Sequence, residues 1–97
     1  MKRSDVLYTA DSLINGDRAK DYGEASENFA VIAQMWSAYL GVDVEPRDVA
    51  HMMALLKIAR LRNGPHDDSS CDGCGYLALA SELSDQTPCN TFRHDVP

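Results

Sequence analysis

Apolar side chains recur along this chain at three- and four-residue intervals, the period of a helix face. Over 4–15 the pattern places Val6, Leu7, Ala10, Leu13 and Ile14 on one stripe, with Ser4 as the expected N-cap and Asn15-Gly16 as the stop. GDRAKDYG (16–23) reads as a polar connection. A second helix is expected from about Glu24 or Ala25 to Leu40, with Phe29, Ile32, Ala33, Trp36 and Leu40 facing inward and Gly41 ending it. Pro46 suits the first turn of a third helix over 46–62, capped near Glu45. Val49, Met52, Met53, Leu55, Leu56, Ile58, Ala59 and Leu61 surround that helix. It is therefore expected at the centre of the fold or in a subunit interface. NGPHD (63–67) breaks the chain, and a fourth helix follows from about Asp68 to Leu83 despite Gly73 and Gly75. Beyond residue 84 no periodicity remains. The expected organisation is one all-α domain over 1–84, a four-helix bundle, with a tail over 85–97.

Short connections make successive helices antiparallel neighbours, so helices two and four run parallel. Their N-termini then meet the C-terminus of helix three at one end. Glu24 and Glu27 open helix two, Asp68 and Asp72 open helix four, and Lys57 and Arg60 close helix three. Arg18, Lys20 and Tyr22 arrive there on the first connection. Residues three or four apart share a helix face. Each acidic pair can thus offer oxygens to one point, as Mg²⁺ requires. The cations would meet phosphates, which makes the cluster a candidate nucleotide site. The bland reading is equally physical: acids at helix N-termini and bases at C-termini each gain ~0.3–1 kcal/mol from the helix dipole. Lys57 or Arg60 would then simply pair with the acids.

Charge narrows the ligand further. The 97 residues hold nine Lys and Arg against fifteen Asp and Glu, a net charge of −6. Such a chain lacks the basic surface that dominates duplex nucleic-acid binding. No apolar run approaches the ~18–20 residues of a membrane span. An amphipathic start instead of a signal-peptide core, with three cysteines, points to a reducing, cytoplasmic setting.

The strings R18-A-K-D-Y-G23, N28-F-A-V-I-A33, W36-S, K57-I-A-R-L61 and D68-S-S-C-D72-x-x-G75-Y76 resemble a family of small phage and prophage proteins. That family is similar in pattern to the MazG-like all-α nucleotide pyrophosphatases. The resemblance spans about residues 14–80. It implies a dimeric or tetrameric helical bundle acting on nucleoside triphosphates with Mg²⁺. Glu24-Ala-Ser-Glu27 matches the E-x-x-E motif of the MazG-like enzymes, whereas Asp68 and Asp72 depart from their later E-x-x-D by spacing and residue type. On this resemblance Glu24, Glu27, Asp68 and Asp72 hold the metal, Glu27 is the general base, and Arg18, Lys20, Tyr22, Asn28, Lys57 and Arg60 contact the nucleotide. Products would be a monophosphate and pyrophosphate.

Other readings compete. The pocket can serve a non-catalytic binder that sequesters a nucleotide, including an immune signalling nucleotide of the host. Cys71, Cys74, Cys89 and His94 read C-x₂-C-x₁₄-C-x₄-H, a usable zinc set, which would make the chain a zinc-stabilised interaction module. His51 is expected as an interior or interface histidine and His66 as a solvated one. Met35, Met52 and Met53 are expected to fill core space, and Trp36 to pack there too.

Overall fold

Alanine and glycine, more than leucine, decide how the helices of this chain approach one another. The computed structural model describes residues 1–16 and 25–86, which form α1 (Arg3–Asn15), α2 (Ala25–Leu40), α3 (Pro46–Arg60) and α4 (Asp67–Gln86). A 3₁₀ turn over Leu61–Asn63 extends α3. No strand occurs among the described residues.

The ends are closed locally. α1 has Lys2 at its N-cap, not the expected Ser4, and the Lys2 N–H donates to the Asp5 carboxylate at 3.2 Å. Gly41 takes φ 70° and its N–H reaches the Ser37 carbonyl at 2.9 Å, a left-handed stop for α2 that a side chain would strain. Glu45 and Pro46 open α3 as expected, with the Glu45 N–H donating to Asp48 Oδ2 at 2.8 Å. Ser37 fastens the connection between α2 and α3. Its Oγ accepts the Val44 N–H at 2.8 Å and donates to the Ala33 carbonyl at 2.7 Å.

α3 and α4 pack antiparallel, with Lys57 beside Asp72 at one level and Ala50 beside Ala80 at another. α1 lies chiefly on α4, and α2 on α3. A Cβ added at Gly75 would sit 3.1 Å from Ile14 Cγ2, so this glycine lets α1 come close. Phe29 of α2 packs on the Ala50–Ala80–Leu83 cluster and meets Tyr76 ring to ring at 6.4 Å.

Five of the eight buried apolar residues are alanines: Ala10, Ala33, Ala50, Ala54 and Ala80; Val49, Cys71 and Leu83 complete the set. Small contact residues allow the short end of the ~8–10 Å range of interaxial distances. Of the two places expected for α3, the centre of the fold or a subunit interface, the first is taken by α4, which α1, α2 and α3 touch. α3 turns Met52, Leu55, Leu56 and Ile58 outward. Met35, expected in the core, is 65% exposed, and Leu7, Leu40, His51 and Leu77 are exposed too. Trp36 and Met53 are half-buried. No helix among the described residues is long and apolar enough to cross a membrane.

Candidate functional site

Among the described residues, charged and polar side chains gather at the junction between the last turns of α3 and the first turns of α4. His66 precedes α4, and its Nδ1 accepts the Ser69 backbone N–H at 3.1 Å, one of the donors that a helix start leaves unpaired. The same nitrogen lies 2.8 Å from Ser69 Oγ. Ser69 is almost fully buried, and this contact satisfies its hydroxyl. The expected solvated role of His66 is therefore only half of the picture: the ring is exposed, but one nitrogen caps the helix. Nothing in the loop composition singled out histidine as the cap. Only the structure reveals it.

One helical turn after Asp68 comes Asp72. Its Oδ2 lies 3.0 Å from Lys57 Nζ, with the two side chains 24% and 15% exposed. α3 and α4 thus place an acid and a base face to face in a mostly dry contact, where attraction outlasts that of a solvated pair. Gly73, next to Asp72, keeps the surface of α4 low beside the Lys57 stem: a Cβ there would sit 3.7 Å from Lys57 Cβ. Asp68, Arg60, Glu27 and Asn28 are exposed. Of the expected site residues, Lys57 and Asp72 are brought into direct contact. The Phe29–Tyr76 contact carries the first turn of α2, with Glu27, toward α4 one turn beyond Asp72. Among the described residues no three His, Cys, Asp or Glu side chains form a group able to hold a metal ion. Arg18, Lys20, Tyr22 and Glu24 lie outside the described residues.

The cysteines of α4 face different neighbours. Cys71 is buried against α1, with Sγ 3.7 Å from Met1 Sδ and a side-chain hydrogen bond from Thr9. Burial pushes its thiol pKa up, and the negative charges of Asp67 and Asp68 add to the shift. Cys74 instead lines an open cleft of about 220 Å³ with Ala54, Ile58, Leu61, Ser70 and Leu77, between α3 and α4. Cys89 and His94, the other two members of the expected zinc set, lie outside the described residues.

A second ion pair escaped the sequence reading. Arg47 and Glu45 meet at 3.0 Å at the start of α3, both side chains less than one-fifth exposed. Spacing of two residues across a helix start carries no periodic signal, so only the coordinates bring them together.

The family described as Domain of unknown function (DUF6378) matches residues 5–84, from the first turn of α1 to the last turns of α4. The chain belongs to this family. Its DUF6378 domain is 50% identical over 80 residues to the Gene 55 protein of Mycobacterium phage L5, covering 80% of this chain and 51% of that protein. It is 40% identical over 82 residues to the Gene 55 protein of Mycobacterium phage D29, covering 84% of this chain and 54% of that one. The DUF6378 chain thus spans about half the length of the curated relatives it matches. No solved structure matches it.

Proposed function

We propose that this phage-type domain handles a nucleoside triphosphate with Mg²⁺ in the host cytoplasm, as a MazG-like pyrophosphohydrolase that works as a homo-oligomer. The observation that carries the reading is the mostly buried Lys57–Asp72 pair, set where the first turns of α4 and the last turns of α3 meet. A cation and a carboxylate held at fixed distance on facing helices suit a ligand that is itself an anion bridged by a metal. The donor chemistry fits Mg²⁺: Glu27, Asp68 and Asp72 offer hard oxygens, and Glu24 would complete the four. When bound, Mg²⁺ supplies the charge that polarises a water and neutralises the phosphates.

The residues divide the remaining work. Glu27, exposed in the first turn of α2, takes the proton of the attacking water as general base. Asp68 and Asp72 would hold the metal, while Lys57 and Arg60 neutralise charge on the leaving pyrophosphate. Arg18, Lys20, Tyr22 and Asn28 secure the nucleotide itself. A panel of nucleoside triphosphates with and without Mg²⁺, followed by mass spectrometry, tests this directly. Pyrophosphate and a monophosphate are expected from at least one member. Glu27→Gln abolishes turnover yet leaves binding within a few-fold. A panel in which nothing is bound or cleaved ends the proposal.

A second reading has an observation of its own. Asp72 is already partnered by Lys57. That pairing favours a site that binds a nucleotide, a host immune signal included, without cleaving it. The same panel separates the two, because a sequestering protein returns its nucleotide intact after denaturation. Copurified zinc at one ion per chain would favour the interaction module built on Cys71, Cys74, Cys89 and His94 instead.

A further inference from the structure

We infer that the outward face of α3 is the contact between two copies of this chain, packed antiparallel about Leu55. The inference gives the homo-oligomer of the proposed function its contact and does not depend on the nucleotide. At about 100° per residue, Asp48, Leu55 and Arg62 fall on one line of the helix and its 3₁₀ extension. Met52 and Leu56 flank the line on one side and Ile58 on the other. Met52, Leu55, Leu56 and Ile58 are 43%, 62%, 49% and 54% exposed, and the cleft shared by Ile58 and Leu77 joins this stripe to α4. Between Asp48 and Lys57 no residue of α3 is charged, and Lys57 itself is turned to Asp72.

The area matches one partner's share of an interface. Met52, Leu55, Leu56, Ile58 and Leu77 each leave on the order of 100 Å² in water, so together they present about 500 Å². That is the apolar part, roughly three-fifths, of the ~800 Å² each partner contributes to a standard interface. Symmetry favours a second copy as the occupant. A two-fold axis at Leu55 opposes the two α3 dipoles and brings Arg62 of each chain to the end of α3 where the other carries Asp48. The Asp48 carboxylate also accepts the Glu45 N–H. Few large apolar residues compete for it in 17–24 and 87–97: Tyr22 in the first, Phe92 and Val96 in the second.

Light scattering on the eluting full chain at tens of micromolar tests the inference without any ligand. A dimer of the 10.7 kDa chain, or an even multiple of it, is expected. Leu55→Glu is expected to weaken dimerisation at least about thirtyfold, the effect of losing an interface hot spot, with far-UV helicity kept. Should that variant fail to fold, cysteine pairing decides. Leu55→Cys is expected to form a covalent dimer under mild oxidation beyond that of the parent chain, whereas Tyr8→Cys on α1 does not. A monomeric parent overturns the inference, and so does an oligomer that neither Leu55→Glu nor Leu55→Cys affects.

Discussion

α3 and α4 lie against each other along their length, yet they are built from opposite materials. α3 carries the strong helix formers and large apolar side chains, and turns most of them to solvent. α4 carries serines, cysteines and two glycines, poor helix formers all, and is covered by neighbours on three sides. The lesson concerns what packing rewards. A helix approached from several directions within one small chain must be thin, so Gly73, Gly75, Cys71 and Ala80 belong there. Tertiary contact then repays the ~1 kcal/mol that each glycine costs the isolated helix.

One substitution made in both helices tests the contrast most strongly. Ala80→Leu in α4 inserts three heavy atoms where nothing is exposed, and is expected to lower unfolding stability by about 1–3 kcal/mol in urea titrations. Ala59→Leu on the outward side of α3, measured in the Leu55→Glu background that keeps two copies apart, is expected to change it by no more than about 0.5 kcal/mol. Equal costs would dissolve the distinction between a covered helix and an open one.

A smaller effect sharpens the description of where α4 begins. His66→Ala removes the acceptor for the Ser69 N–H and strands a buried hydroxyl, at an expected cost of about 1 kcal/mol. His66→Asn, which keeps a capping oxygen, is expected to recover most of that loss. The least effect belongs to Cys71. Its folded thiol pKa lies above the ordinary 9.0, so the unfolded chain loses its proton first as pH rises. The unfolded state then binds fewer protons, and stability falls with pH above that value and is unaffected below it. Denaturation midpoints across alkaline pH check the sign, and Cys71→Ala should flatten the slope.

Much of this architecture was legible from periodicity. The bounds of α2, the Glu45–Pro46 start of α3 and the Gly41 stop follow from local preferences that need no partner. The candidate site was legible in part. Antiparallel pairing across the NGPHD break brings Lys57 to Asp72, as alternation of short-linked helices requires. His66 as a cap was not legible, because a histidine in a proline loop bears no signature of its one buried hydrogen bond. Nor was the outward turn of Met35, Met52 and Leu55, since a side chain's hydrophobicity does not name the surface that covers it.

By itself, then, the order of residues determined the four helices of the described residues, the bounds of α2, the start of α3 and an acidic composition, all short-range consequences of side-chain shape, capping and charge. Tertiary structure alone decided which helix is enclosed and which apolar stripe stays uncovered. Those outcomes depend on how closely backbones approach, and that distance is set jointly by small residues far apart in the chain, such as Gly75 against Ile14 and Ala50 against Ala80.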